Sequence, residues 1–273
     1  MLVLVKGAGD LATGTACRLY RAGIKVVMTD IAQPTAVRRT VAFCQCIYDG
    51  ETTVEGITAR RVDTPAQAVA ALAAGEIPVL VDPQAEIRTQ MPFDAVVDAI
   101  LAKTNLGTRI TDAPIVLALG PGFTAGVDCH AVVETKRGHY LGRLILEGAA
   151  IPNTGVPGDI GGYSTQRIIR ATAEGIFHPV SQIGDTVAEG DLVAMVDKTP
   201  VYALMPGVVR GMLPDGLHVT LGMKSGDIDP RCAYDHCFTV SDKARAIGGG
   251  VLEGLLYFSS PAGVFRTRSG EML

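Results

Sequence analysis

The residues best suited to chemistry lie at the start of the chain, in KGAGDLATG. Gly7, Gly9 and Ala12 fall in the G-x-G-x-x-(G/A) register. In that register the first glycine allows a tight turn and the second lets a pyrophosphate approach the backbone. The third small residue keeps the following helix close to the sheet. A helix starting at Asp10, with Thr13 in its first turn, would offer unpaired N–H groups and a partial positive charge to an anion. Asp30 stands 21 residues beyond Gly9, where the dinucleotide fold places its ribose-binding acid. Asp10 is the awkward member, because a carboxylate repels a neighbouring phosphate unless a cation or hydrogen bond offsets it. Lys6 is a candidate partner; the alternative is that Asp10 caps the helix. Gly7, Gly9, Asp10, Ala12, Thr13 and Asp30 together read as a cradle for a small phosphorylated ligand.

A second group lies in GPGFTAGVDCHAVVETKRGH. Gly120 and Gly122 could form an anion-holding nest of backbone N–H groups. Asp128 and His130 sit two apart on an expected strand and so share a face, an arrangement that could transfer protons. The competing reading is a polar hairpin exposed to water. Cys129 faces the other way and is expected in the core. Lys243 and Arg245 could add positive charge at the start of the last helix, or be solvated. The same alternatives hold for the pairs Arg38–Arg39 and Arg60–Arg61, which meet a small anion or face water. Asp227 and Asp229 in GDIDPR bind a cation or shape a turn before proline. The spacings of Cys44 with Cys46 and of Cys232 with Cys237 lack the paired CxxC units of a zinc site, so no metal is expected.

These residues need elements to position them. LVLVK is a short apolar run that suits a buried parallel strand, followed by a helix over 10–22 ended by Gly23. IKVVMTD, ITARRV, IPVLVDP, FDAVVDAI and APIVLALG supply five further strands. Asp63-Thr64-Pro65 caps a helix through AQAVAALAA, with Gly75 after its end. Strands alternating with helices predict an α/β fold with a Rossmann-like parallel sheet over residues 1–120. Residues 121–169 read as a hairpin turning at KRGH and a Gly/Pro-rich connection. Residues 170–231, punctuated by IGD, EGD, MPG and PDG, read as a small β-barrel or sandwich that resembles a degenerate biotinyl/lipoyl module. Lys198 sits where a carrier lysine would, in a tip shortened by Pro200. Residues 232–273 contain a helix with a Ser241 N-cap and three consecutive glycines, each costing about 1 kcal/mol relative to alanine. Close packing against another backbone or a ligand would compensate.

Composition limits the function classes. The chain has 273 residues, is 48% hydrophobic and carries a net charge of −4, so it can bury a core and has no general basic character for nucleic-acid binding. The N-terminal apolar run breaks into glycines too early for a signal peptide, and no stretch approaches a membrane span. A cytoplasmic protein with reduced cysteines is expected.

Several longer stretches carry a family resemblance. KGAGDLATGTACRLYRAGIKVVMTD, PTAVRRTVAF, LALGPGFTAGVDCHAVVETKRGHYLGRLI, NTGVPG, GMKSGDIDPR and CFTVSDKARAIGGGVLEGLL occur in order along nearly the whole chain. They resemble the YqeB-type accessory proteins of selenium-dependent molybdenum hydroxylases. The resemblance implies a maturation role with a molybdenum hydroxylase, or its maturation machinery, as partner. The ligand would then be the molybdenum cofactor (molybdopterin), which carries a pterin and phosphate. The glycine loop alone equally suits an NAD(P)-dependent oxidoreductase, and the β section a non-enzymatic carrier or scaffold. Cys44, Cys46 and Lys198 stand outside the family's pattern.

Overall fold

In the computed structural model, residues 1–153, 155 and 160–260 are described; most of the NTGVPG motif lies outside them. The first part runs β1 (Leu2–Lys6), α1 (Asp10–Arg21), β2 (Lys25–Asp30), α2 (Cys46–Asp49), β3 (Glu51–Val54), β4 (Ile57–Val62), α3 (Pro65–Ala73), β5 (Ile77–Val81), β6 (Ala95–Asp98) and β7 (Ile115–Leu119). It continues through β8 (Thr124–Ala125), β9 (Ala131–Val133), β10 (Leu144–Ile145) and β11 (Gly148–Ala149). Nine of these strands form one sheet in the order β10-β9-β7-β6-β1-β2-β5-β4-β3. The seven inner strands are parallel, and β3 and β10 pair antiparallel at the two edges. Val3 and Val5 enter one core and Leu4 the other, which is why β1 shows no polar alternation. α3 begins as expected: Thr64 and Gln67 form a capping box around Pro65.

The second part comprises β12 (Ile168–Arg170), β13 (Gly175–Pro179), β14 (Thr186–Val187), β15 (Leu192–Val196), β16 (Thr199–Tyr202), β17 (Gly207–Met212), β18 (Leu217–Val219) and β19 (Lys224–Asp229). They form two four-stranded sheets, β12-β19-β17-β14 and β16-β15-β13-β18, over a shared core containing Phe177, Val209 and Met212. The chain ends its described course in α4 (Asp242–Ser259).

The expected layout of a parallel Rossmann-like sheet followed by a small lipoyl-like β-barrel and a C-terminal helix is therefore corrected. The large sheet is mixed, and its β9–β10 edge comes from the stretch read as a hairpin connection. The β section is two sheets. Helix α4 packs on α1 and delivers Ala244, Ile247, Val251 and Leu255 to the first core. The physical reason is the apolar stripe of α4, which must be buried, and the large sheet offers the face for it.

Glycines make that docking possible. A Cβ on Gly14 would lie 2.5 Å from the Ala244 Cβ, and one on Gly250 would lie 2.1 Å from the Gly142 carbonyl oxygen. Gly248 faces the Gly14 carbonyl, whereas Gly249 meets open space. Close backbone approach thus offsets the helix-propensity cost, as expected. The segment after β2 ties the two parts together. The Val37 carbonyl accepts the Met212 N–H at 2.7 Å, and Arg39 Nε donates to the Met212 carbonyl at 2.9 Å. β17 and β19 are thereby brought beside the glycine loop.

Candidate functional site

The two glycines of the loop do different work. Gly7 has φ +92°, donates to the Thr29 carbonyl at 2.7 Å, and a Cβ there would lie 2.9 Å from the Ala99 carbonyl oxygen. It is required by the backbone. Gly9 has φ −71° and ψ −177°, a conformation open to any residue, and its nearest neighbour would be the Ala36 Cβ at 3.9 Å. Its missing side chain leaves space rather than relieving strain. Gly9 is the N-cap of α1, and no side chain caps the helix, so the first-turn N–H groups are left for another partner.

That space belongs to a groove of about 500 Å³. Gly7, Gly9, Asp10, Ala12 and Asp30 line it from the sheet domain. Arg38 joins from the connecting segment, Arg210, Lys224 and Asp227 from the β section, and Lys243 from α4. Asp30 braces the loop: its Oδ2 accepts the Ala8 N–H and its Oδ1 the Ile31 N–H, both at 2.8 Å. Burial pushes its carboxyl above the ordinary range, against the pull of those two bonds. Lys224 is held below its ordinary range by burial, which outweighs the attraction of Asp227. Lys243 is lowered by burial and then by Arg137.

Other expected residues are placed differently. Asp10 pairs with Arg38 at 2.8 Å, not with Lys6, which instead meets Asp98 at 3.4 Å with the Thr108 hydroxyl bonded to both. Nor does Asp10 cap α1. Arg38 is buried and donates to the His236 and Thr239 carbonyls, so the Arg38–Arg39 pair is structural rather than solvated. Arg60 forms a two-bond pair with Glu76. Asp10 Oδ1 and Arg38 Nε are buried without a hydrogen-bond partner, and both residues line the groove. Thr13 is buried beneath the loop, donating to the Ala8 carbonyl and accepting the Phe43 N–H; it does not line the groove.

Asp128 and His130 also lie outside it. Asp128 accepts the Thr124 N–H at 2.7 Å and an Asn105 N–H at 3.3 Å; His130 Nδ1 accepts the Val116 N–H at 2.9 Å. Gly120 and Gly122 both have positive φ, and a Cβ on either would strike Thr135 or the Lys103–Thr104 backbone, so close packing accounts for them. Arg245 pairs with Glu55, leaving Lys243 as the groove cation of that helix. Asp227 and Asp229 are held by Arg167, Arg210 and Arg231, which fill the place a cation would take. Cys44 and Cys46 are core residues whose thiols burial pushes up, Cys46 to about 12. Among the described residues no group of three or more His, Cys, Asp or Glu is arranged for a metal. Lys198 is exposed in the turn between β15 and β16. No helix among the described residues is long and apolar enough to cross a membrane.

The lysine of the groove that sequence reasoning missed is Lys224. Its signal was faint: it is the third residue of the GMKSGDIDPR stretch and the first of β19, where alternation puts Lys224 and Ser225 on opposite faces.

The chain is 54% identical over 255 residues to the uncharacterised protein YqeB of Escherichia coli strain K12, across 93% of its own length and 47% of that protein's. This likeness supports YqeB-type kinship; the chain spans about half the length of that relative. No protein-family profile matches. Among solved structures it is similar to an aspartoacylase family protein from Mesorhizobium loti (14% identity, TM-score 0.28) and to a succinylglutamate desuccinylase/aspartoacylase from Rhodobacter sphaeroides (16%, TM-score 0.25). Each alignment covers 83% of this chain and 84% of the other. Likeness at such TM-scores carries no function across.

Proposed function

We propose that the groove binds a phosphorylated, nucleotide-like ligand, with its phosphates against Gly9 and the first turn of α1. We further propose that the chain serves in this way as an accessory protein that handles the molybdenum cofactor, or selenium, for a partner molybdenum hydroxylase. The observation that carries the binding is Gly9 itself. It is a glycine with no conformational need to be one, and it faces open space at an uncapped helix start. A phosphate there would meet backbone N–H groups and the positive end of the helix dipole. Lys224 and Lys243, which line the groove, would add favourable charge to it. Asp30 retains acceptor capacity for a hydroxyl on the ligand. The hydroxylase connection rests on the sequence resemblance. The cofactor's phosphate suits this groove, and no residue is assigned to its metal.

The test is to purify the protein under mild conditions, denature it, and identify the released small molecule by mass spectrometry and ultraviolet absorbance. A pterin or pterin–nucleotide is expected, and it should be absent from Gly9→Val prepared alongside. A released nicotinamide dinucleotide would replace this role with the oxidoreductase one. Equal retention by wild type and folded Gly9→Val would refute binding at the loop.

A further inference from the structure

The groove does not end at the glycine loop. A second cavity of about 510 Å³ adjoins it and shares Lys224 and Lys243 as lining residues. Lys103, Lys136, Arg137 and Arg170 also line this cavity, and among the described residues no carboxylate does. Arg137 is neutralised by a two-bond pair with Asp242. Among the described residues Lys103, Lys136, Arg170, Lys224 and Lys243 make no ion pair, in a chain whose net charge is −4. Unpaired cations gathered around one concavity raise the local concentration of anions. Their mutual repulsion is a cost that an anion would relieve.

The backbone supports the same place. Leu101 and Lys103 hold φ of +62° and +66°, left-handed values that ordinary side chains rarely adopt. Leu101 lines the first cavity and Lys103 the second, so this strained stretch links them. It is fixed by Gly122, which approaches the Lys103–Thr104 backbone too closely for any Cβ. Strain kept in place by surrounding packing is characteristic of functional positions.

We infer that this second cavity is a separate anion subsite, which receives a phosphoryl-type oxyanion while the glycine loop holds the ligand's first phosphates. The inference rests on the proposed reading of the loop only for the identity of the neighbouring ligand. The cluster of cations stands on its own. Two sources share this chemistry: the far end of one molecule spanning both cavities, or a separate oxyanion bound alongside a nucleotide.

The experiment uses the full chain, orthophosphate, ADP and diadenosine tetraphosphate, with equilibrium dialysis of radiolabelled phosphate. Lys103 and Lys136 are exposed, so Lys103→Met/Lys136→Met should fold as wild type. Phosphate is expected to bind ADP-saturated wild type, and at least tenfold more weakly the double variant, with ADP affinity changed less than threefold. That result assigns a separate oxyanion. Diadenosine tetraphosphate binding at least tenfold more tightly than ADP and expelling the phosphate, with the gain lost in the double variant, assigns a spanning ligand. If ADP does not bind but phosphate binding still depends on Lys103 and Lys136, the loop reading fails and the subsite stands. Phosphate binding indifferent to the double variant, or no phosphate on wild type together with no advantage for the tetraphosphate, overturns the subsite.

Discussion

Gly7 and Gly9, two residues apart in one loop, should separate stability from binding when each is replaced by alanine. At Gly7 the new Cβ must occupy φ +92° and stand 2.9 Å from the Ala99 carbonyl oxygen. Left-handed strain costs about 1–3 kcal/mol, and forced overpacking costs about 1–3 kcal/mol more. A loss of about 2–6 kcal/mol corresponds to a melting temperature lower by at least ~4 °C for a chain of this size. At Gly9 the Cβ enters space with its nearest atom 3.9 Å away, at φ −71°. Alanine there narrows the unfolded ensemble, a gain of about 0.4–1 kcal/mol, against a similar loss from a poorer N-cap. Its net effect on stability should stay within about 1 kcal/mol. The ligand should see the opposite ranking, with Gly9→Val, whose branched side chain fills the phosphate position, weakening binding by at least tenfold. Thermal unfolding by circular dichroism and calorimetric titration with ADP measure the two effects. Gly9→Ala as unstable as Gly7→Ala, or Gly9→Val binding ADP as wild type does, would refute the reasoning.

Breaking the buried Lys6–Asp98 pair with Lys6→Met should cost about 3–5 kcal/mol in urea unfolding, because Asp98 is left charged in the core. Lys6→Met/Asp98→Leu should recover much of that loss. Gly250→Ala should destabilise strongly by driving a Cβ to 2.1 Å from the Gly142 carbonyl oxygen, whereas Gly249→Ala should be neutral or stabilising on the same assay. Burial opposes the charged form of Asp229, yet hydrogen bonds from Arg231, helped by Arg210, hold its carboxyl down at about 2. Its contribution, about 2 kcal/mol, should be complete above an unfolded value of about 3.9 and vanish as pH falls toward 2. Asp229→Asn should therefore flatten the acid limb of stability measured between those values.

Local chemistry made the first part of the fold readable. β1 and β4 have the bounds expected from their apolar runs, and α3 starts at the Thr64–Pro65 signal. Pairing over long sequence separation was not readable in the same way. Glu51–Val54 has two threonines and one buried residue, so nothing in its own pattern announces an edge strand; it exists because β4 offers an unpaired side. The β9–β10 hairpin was legible as a hairpin but not as the extension of the large sheet, since the Ala131–Leu117 register is set by packing.

The site divides along the same line. Gly7, Gly9 and Asp30 were found because their spacing reflects one continuous strand–turn–helix unit, in which neighbours in sequence are neighbours in space. Asp128 and His130 met the same test of spacing, yet Asp128 accepts from the Thr124 N–H and the Asn105 amide and His130 from the Val116 N–H, an arrangement that alternation along a strand does not reveal. The positive charge around the two cavities is spread over residues that no single motif joins. Lys103 follows β6, Lys136 follows β9, Lys224 opens β19 and Lys243 lies in the first turn of α4. Only Lys243 stood out in its own stretch, by its place at the start of the last helix. Because the chain as a whole is acidic, composition spoke only against a general basic face and was silent on where a local cluster would form. The cluster arises only when the Val37–Met212 bond and the α1–α4 contact fold the β section and the last helix back over the glycine loop. A ligand that reads this charge therefore reads the closed arrangement of both parts. Loosening that closure, as Gly250→Ala should do, is expected to weaken phosphate binding without changing any residue that touches it.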